Sequence, residues 1–235
     1  MIKLLTFTAS ILFTCNLIAQ NATSLGDDFK MLAMHNLNVN SSTISTFSSG
    51  NIKGTRYLFD QWTSGSVTTT DNITFSKNYL FNFDKTTQEL YASYTDQGNL
   101  SVLLDKSKVR SFMLLGQTYI NGKSLDPKGK DIFYQALAED SSRISLYKQL
   151  TTTFVKGGFS DVSKVREGNT ASEYVDNISY YVFTKGELKK VNLTENSIHK
   201  MLKDQDKKID LFMDLNPNKD LDESLLVLLV KYLNQ

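Results

Sequence analysis

Histidine is scarce in this sequence, and this limits the nucleophilic chemistry open to it. The chain has only two histidines, His35 and His199. A serine nucleophile needs a neighbouring base, usually histidine, to accept its proton. The sequence contains no Gly-x-Ser-x-Gly motif of the kind that presents a serine on a sharp turn. His199 stands beside Ile198 in a helical pattern, so we expect a solvated surface histidine and assign no catalytic residue.

An alternation of acids and amides near the C-terminus resembles the start of a calcium-binding loop. The oxygen-bearing residues recur at every second position: Asp214, Asn216, Asn218, Asp220 and Asp222. Lys219 replaces the glycine of such a loop, and Leu225 replaces its bidentate acid. The end of one helix and the capped start of another explain the same residues. Because two histidines are also too few for a typical zinc site, we predict no metal and no cofactor.

The acidic residues leave one enzymatic alternative open. Glycosidases use two carboxyl groups that can come from any two strands, so spacing along the sequence does not reveal them. We therefore keep a carboxylate-based hydrolase of an extracytoplasmic glycan or peptide as the alternative function. The glycines Gly157, Gly158 and Gly168 are typical of a flexible loop and do not form a phosphate-binding pattern.

A candidate surface for a partner or ligand is formed by Arg56, Tyr57 and the single tryptophan, Trp62. Arginine and aromatic side chains dominate the energetics of protein recognition when they are exposed, and aromatic rings can also form a platform for sugars. The alternative is that these rings belong to the core, which is the commoner position for aromatic residues in strands.

The first nineteen residues are typical of a secretory signal peptide. They carry one positive charge at Lys3, an apolar run, and the small residue Ala19 before Gln20, where we predict cleavage. The apolar run is too short, and too interrupted by Thr and Ser, for a stable membrane span. We therefore expect a chain that is exported to the periplasm or the exterior and whose mature part has no transmembrane span.

The only cysteine, Cys15, lies within this segment, so the mature chain would have no thiol and no disulfide. An alternative is that residues 12–15 form a lipoprotein processing box, with a lipid anchor on Cys15. Thr14 disfavours this alternative because the position before the cysteine normally holds Gly, Ala or Ser.

Beyond the predicted cleavage site, the chain carries 25 basic and 25 acidic side chains. A formal charge of zero gives no general attraction to nucleic acid or to an anionic membrane surface. The expected partner is therefore another envelope protein or a small ligand.

The candidate binding residues must be positioned by the fold, and the clearest strand pattern of the sequence lies at residues 73–83. The polar residues Thr74, Ser76, Asn78 and Asn82 occupy even positions, where Leu80 is the exception, and the odd positions are almost all apolar. The residues predicted on the buried face are Ile73, Phe75, Tyr79, Phe81 and Phe83. This period of two predicts a strand with one buried face and one solvated face.

Neighbouring segments extend the strand pattern over most of the chain. Strands are predicted at residues 55–62, 65–70, 90–94, 100–104, 109–115, 132–137, 144–154, 174–184 and 187–193. Residues 84–87 form a polar turn, residues 116–130 are a looser piece, and Lys185-Gly186 is a two-residue hairpin turn. Spacing of about ten residues per strand favours antiparallel pairing and leaves no room for crossover helices.

The period changes to a helical one after residue 193. Thr194 is predicted to cap a helix that continues to Asn216, next to Pro217. A final helix is predicted from Asp220, with Glu223 completing a capping box. Residues 225–233 are apolar except for Lys231, so we expect this helix to be buried nearly all round against the sheet.

Several stretches together resemble a group of secreted or periplasmic proteins from Bacteroidetes. The stretches are GTRYLFDQW, GSVTTT, NYLFNFDKTTQELYA and YYVFTKGELKKV, and they extend over most of the mature chain. The sequence departs from the pattern at residues 79–82, where Arg-Tyr-Asn is common in the group. The resemblance implies export and a β-rich architecture, and it implies no particular activity.

The sequence therefore predicts an α+β fold, mainly an antiparallel β meander forming a sandwich or curved sheet, with a C-terminal helical appendage. The predicted organisation is a signal peptide (1–19), a loosely structured lead-in (20–53), an antiparallel β domain (54–193) and C-terminal helices that pack on it (194–235). The leading functional hypothesis is a non-catalytic exported envelope protein that binds a partner or ligand.

Overall fold

The structure is a computed structural model, which describes residues 52–94, 101–140, 143–157 and 171–235. The predicted signal peptide, with Cys15, lies outside these residues, as do His35, Gly158 and Gly168. Of the predicted lead-in, only Ile52 and Lys53 are described, and they form a short strand.

The described residues form a mainly antiparallel sheet with helices near the C-terminal end, as the sequence predicts. The strands are β1 (Ile52–Lys53), β2 (Thr63–Thr69), β3 (Thr74–Phe75), β4 (Tyr79–Asp84), β5 (Glu89–Tyr94), β6 (Ser101–Leu103), β7 (Val109–Leu114), β8 (Gln117–Asn121), β9 (Phe133–Ala138), β10 (Ser145–Val155), β11 (Ser172–Thr184) and β12 (Glu187–Val191). The helices are α1 (Gly122–Leu125), α2 (Glu195–Met201), α3 (Asp206–Asp214) and α4 (Glu223–Leu233). None of these helices has the length and apolar character needed to cross a membrane.

The strands lie in the order β1-β11-β10-β9-β8-β7-β2-β4-β5-β6, with β12 beside β11 and β3 beside β2. Strand β1 pairs with β11 in parallel, and the other pairs in the described residues are antiparallel. Sequential neighbours therefore pair with each other through most of the sheet, which is what the short predicted connections require.

The register places both hydrophobic cores on the same face of the large sheet. Phe112 of β7 pairs with Val67 on one side and with Tyr119 on the other. Gln135 of β9 pairs with Tyr119 of β8 on one side and with Lys148 of β10 on the other, so these residues continue the same row across the sheet. Since directly paired residues share a face, this one row runs from the first core toward the second.

The first core lies between this face and the strands β4 and β5, and aromatic rings dominate it. Phe112 stacks on Tyr119 with ring centroids 4.8 Å apart, and Phe133 meets Phe112 edge-on at 4.9 Å. Phe83 of β4 contacts Phe112 at 5.3 Å. Each such pair contributes about 0.5–1.5 kcal/mol beyond its buried area, so this cluster fixes how β4 sits over the sheet.

The second core lies between β10, β11 and the C-terminal helices. Leu146 of β10 and Val182 of β11 pack against the buried side of α4, where Leu226 and Leu229 are fully covered. The expectation that α4 is buried nearly all round is wrong on one side, because Leu228 is 47% exposed.

The anchor pattern at residues 73–83 is split in the structure. Strand β3 ends at Phe75, and Asn78, with a positive φ of 64°, lies in the turn directly before β4. Ile73 lies before the break and is 45% exposed, whereas the aromatic residues of the pattern are buried. Asn82, which the alternation assigned to the solvated face, is completely buried.

The predicted strand at residues 55–62 is wrong, and Asn82 shows why. Its Nδ2 donates to the carbonyl oxygens of Phe59 (2.8 Å) and Gln61 (3.3 Å), and its Oδ1 accepts from the amide of Phe59 at 3.3 Å. A side chain thus satisfies backbone groups that a strand ladder would use. Only Tyr57, in an isolated bridge with Asp84, keeps strand-like pairing in this segment.

Three other boundaries differ from the prediction. Residues 116–130 contain a regular strand, β8, and the short α1 that Asn121 caps. The helix capped by Thr194 breaks at Leu202, whose ψ of 39° is not helical, and continues as a 3-10 turn and α3. The last helix begins later than predicted, because Asp222 and not Asp220 accepts the amide hydrogen of Leu225.

The hairpin turn at Lys185-Gly186 is confirmed, since both residues have positive φ, at 54° and 79°. The same geometry occurs at Leu115-Gly116, with φ of 46° and 78°. This primed turn normally holds Asn or Gly at its first position, because a branched apolar side chain is strained there. Leu115 is also 60% exposed, so its side chain gains little from packing.

We therefore predict that Leu115→Asn raises the free energy of unfolding by about 1 kcal/mol, because it relieves left-handed strain at an exposed turn. Urea denaturation followed by circular dichroism measures this change. The matched control is Leu215→Asn, at another exposed leucine with ordinary helical φ, which should change stability by less than about 0.5 kcal/mol. A Leu115→Asn variant less stable than the parent would contradict the account of this turn.

Candidate ligand-binding cleft

The structure brings Arg56 and Tyr57 together but gives them different environments. The ring of Tyr57 is buried, with 6% of the residue exposed, and the guanidinium carbon of Arg56 lies 5.6 Å from its centre. Arg56 also forms an ion pair with Asp84, which is completely buried. Trp62 is half-buried just before β2. The buried Tyr57 ring therefore packs against the Arg56 guanidinium and is not itself available to a ligand. Binding at this surface stays a prediction, and it would use the exposed parts of Arg56 and Trp62.

The turn between β4 and β5, which the sequence predicts as an ordinary polar turn, has three buried side chains that form many hydrogen bonds, those of Asp84, Lys85 and Gln88, while Thr86 and Thr87 are exposed. Asp84 accepts hydrogen bonds from the amides of Thr86 (2.8 Å) and Thr87 (3.3 Å) in addition to its ion pair with Arg56. Lys85 is only 5% exposed and donates to both carboxylate oxygens of Asp176 on β11, at 2.8 and 3.0 Å. Burying these charges is tolerated because each has a bonded partner.

Gln88 attaches the same turn to two further strands. Its Nε2 donates to the carbonyl oxygens of Lys85 and Leu150, both at 3.0 Å, and its Oε1 accepts from the amide of Phe133 at 3.4 Å. The amide of Thr152 donates to the carbonyl oxygen of Lys85 at 3.3 Å. We call residues 84–88 the buried turn after its three buried side chains, Asp84, Lys85 and Gln88. The buried turn thus contacts β9, β10 and β11.

A cleft with a volume of about 670 Å³ opens beside the second core. It lies between the β11–β12 turn, residues 143–144 and the segment from Lys200 to Gln205. Its basic side chains are Arg143, Lys185, Lys189, Lys200 and Lys203, and its acidic side chains are Glu187 and Asp204. We call it the basic cleft.

Both acids of the basic cleft are already paired. Lys185 forms an ion pair with Asp204 across the cleft, and Lys189 lies 2.5 Å from Glu187. Hydrogen bonding and then the charge of its lysine lower the pKa of each carboxyl group. Both groups therefore stay ionised at neutral pH.

Three of the five cations of the basic cleft, Arg143, Lys200 and Lys203, form no ion pair with an acid among the described residues. Arg143 donates to the carbonyl oxygen of Asn234, which holds its guanidinium near the end of α4. The basic cleft accordingly carries a net charge of three positive units, although the chain beyond the predicted cleavage site is neutral.

The same cleft also has an apolar component. Ile144, Leu202 and Leu233 line it, and each is buried in the second core. Met201 lines it as well and is half-buried. An opening that combines cationic side chains with an apolar floor can accept an anionic group and cover an attached apolar group.

The alternating acids near the C-terminus serve as helix-end residues. Asp222 caps α4 through the amide of Leu225 at 2.8 Å, and Asn216 donates to the carbonyl oxygen of Phe212 at 2.8 Å, just beyond α3. His199 lies 2.9 Å from Asp206 and 3.4 Å from Asp210, so it bridges α2 and α3. Within the four described ranges, no group of three or more His, Asp or Glu side chains is placed to hold a metal ion.

The chain matches no protein-family model, no curated protein and no solved structure. Any assignment of function therefore depends on its own geometry. Sequence reasoning missed the basic cleft, because Arg143 is more than forty residues from Lys185 and only the fold brings them together. The number of lysines between residues 185 and 203 was the feature of the sequence that could have indicated a basic site.

The buried turn predicts a large loss of stability when its central acid is removed. Asp84→Ala should lower the free energy of unfolding by about 3 kcal/mol, because it leaves Arg56 and two turn amides without their partner. Chemical denaturation measures the loss. Asp71→Ala, at an exposed acid in the turn after β2, is the control and should cost less than about 0.5 kcal/mol. Equal stability of the two variants would show that the Asp84 contacts contribute nothing net.

Proposed function

We propose that this chain is an exported, non-catalytic binding module whose basic cleft binds a small anionic ligand with an apolar part. The observation that carries the proposal is the internal pairing of both cleft acids. This pairing leaves Arg143, Lys200 and Lys203 facing an opening with an apolar floor.

Electrostatics supports an anionic ligand. Like charges gathered around one opening repel each other, and a bound anion removes this repulsion while gaining attraction from each cation. Lysine and arginine at a site of this kind donate charge-assisted hydrogen bonds to carboxylate or phosphate oxygens, which are stronger than bonds between neutral groups.

The size of the cleft supports a small ligand. A volume of about 670 Å³ lies within the roughly 300–1,000 Å³ typical of small-molecule sites. The half-buried Met201 and the small exposed parts of Ile144, Leu202 and Leu233 form the apolar floor of the cleft. Each methylene of a ligand that this floor removes from water contributes about 0.8 kcal/mol.

The pairing of the acids favours binding over the hydrolase alternative at this cleft. Hydrolysis by two carboxyl groups needs one whose raised pKa keeps it protonated as a general acid. Glu187 and Asp204 have lowered pKa values instead, caused first by hydrogen bonds from Lys189 and Lys185. Neither carboxyl group can donate a proton readily near pH 7.

Export is the part of the proposal that depends on the sequence alone. The first nineteen residues have the charge, apolar run and small residue of a signal peptide. The resemblance to secreted or periplasmic Bacteroidetes proteins supports the same location. A small anion of the periplasm or the exterior is then the ligand that this cleft would meet.

The test uses octanoate as the anionic probe and octanamide as its neutral counterpart, titrated by isothermal calorimetry into residues 20–235. We expect octanoate to bind at least about fivefold more tightly than octanamide, and to weaken as salt is added. Lys200→Ala with Lys203→Ala should reduce octanoate affinity about tenfold, which corresponds to about 1.4 kcal/mol.

The matched control is Lys207→Ala with Lys208→Ala, which removes the same charge from exposed positions of α3 outside the cleft. This control should retain at least half of the parent affinity. Equal losses in the two double variants would indicate general attraction by net charge. That result, or equal affinity for octanoate and octanamide, would overturn the proposed cleft.

A further inference from the structure

The face of the large sheet opposite the two cores has its own row of polar and aromatic residues. Thr68 pairs with Ser111, and Ser111 pairs with Ile120 on the next strand. Further along the sheet, Tyr147 of β10 pairs with Tyr181 of β11 on the same face. Both cores pack on the other side, so this open face is not needed to bury them.

The short helix α1 and the residues after it stand against this open face. Gly122 begins α1, and a Cβ atom at that position would lie 2.8 Å from the Tyr134 ring and 2.6 Å from the carbonyl oxygen of Lys130. The glycine is therefore required for the close approach. Beside α1, a pocket of about 640 Å³ opens between β2, β7 and β8 on one side and β10 and β11 on the other.

Hydroxyl groups line this pocket on the β7–β8 side. Ser111 and Thr118 are half-buried there, and their hydroxyls have no hydrogen-bond partner among the residues the structure describes. The hydroxyl of Thr68 lies 3.0 Å from that of Thr74, so it is already bonded. A hydroxyl can both donate and accept, so Ser111 and Thr118 offer a bound molecule two groups of either kind.

Aromatic rings line the pocket on the β10–β11 side. Phe183 is half-buried and Tyr147 is buried beside it, while the Tyr147 hydroxyl donates to Oε1 of Glu139 at 3.3 Å. Burial, followed by the charge of Glu139, raises the pKa of Tyr147 to about 12. The tyrosine hydroxyl is therefore a proton donor throughout the physiological range, and it orients Glu139 at the rim.

The charge of this pocket separates it from the basic cleft. One arginine, Arg110, and one glutamate, Glu139, lie at its rim and balance each other. Arg110 is held by a hydrogen bond to Asn72. A site with no net charge, several hydroxyl groups on one side and rings on the other complements a molecule that presents hydroxyl groups and an apolar face together.

We infer that this pocket is a second binding site and that its ligand is a neutral sugar. Sugar rings have C–H faces that pack on aromatic rings, and their equatorial hydroxyls exchange hydrogen bonds with serine, threonine and carboxylate groups. Phe183 supplies the packing surface, Ser111 and Thr118 supply hydrogen bonds, and Glu139 accepts from the sugar at the rim. This inference does not depend on the anion cleft.

The test is a titration of ¹⁵N-labelled residues 20–235 with maltotriose, cellotriose and triacetylchitotriose, followed by amide chemical shifts. We expect at least one trisaccharide to give saturable shifts at the amides of Ser111, Thr118, Tyr147 and Phe183. Thr118→Val should weaken that binding about fivefold, the effect of one lost hydrogen bond. Phe183→Leu, which keeps an apolar side chain but removes the ring, should weaken it by at least as much.

Thr153→Val is the matched control, because Thr153 lies on the same face of β10 but outside the pocket. It should retain the parent affinity for the trisaccharide, as should the Lys200→Ala/Lys203→Ala variant of the basic cleft. Absence of saturable shifts with all three trisaccharides up to about 20 mM would overturn the inference. So would shifts at the basic cleft instead of at this pocket, or equal weakening by Thr118→Val and Thr153→Val.

Discussion

The fold depends on a polar contact buried between two hydrophobic cores. The buried turn, residues 84–88, belongs to β4 and β5, which cover the first core, yet it bonds to β10 and β11, which carry the second. An apolar side chain at position 88 could not satisfy the carbonyl oxygen of Leu150, to which Gln88 donates. The Lys85 ammonium bonds to Asp176, the backbone carbonyl oxygen of Lys85 accepts from the amide of Thr152, and Asp84 holds the turn closed with Arg56. A polar contact of this kind is specific in geometry, because each buried donor and acceptor has only one good position.

This arrangement decides which surfaces remain for binding. Both cores occupy one face of the sheet, so the opposite face is free to carry hydroxyl groups and rings beside α1. The helices of the second core end near the β11–β12 turn, and the break at Leu202 brings Lys200 and Lys203 to the same opening as Arg143. The proposed anion cleft and the proposed sugar pocket thus lie on opposite faces of the sheet, and each can be altered without the other.

The sequence predicts the strands at residues 90–94 and 109–114, and the turn at Lys185-Gly186. It fails where a side chain takes the place of a backbone partner. Asn82 looks solvated by alternation but is buried because it bonds to Phe59, and the same bonds remove the expected strand at residues 55–62. The two sites were not predictable for a related reason. Their residues are distributed over strands, turns and, in the basic cleft, helix ends, and only the fold brings them together.

Hydrogen exchange of backbone amides tests most directly whether the buried turn joins the two cores into one cooperative unit. Phe112 reports on the first core and Val182 on the second, since each lies in a paired strand beneath its core. If the two cores unfold together, both amides should exchange with the same opening free energy, within about 0.5 kcal/mol, near that of global unfolding. If Val182 exchanges through an opening that costs several kcal/mol less while Phe112 stays protected, the second core unfolds by itself and the account is wrong.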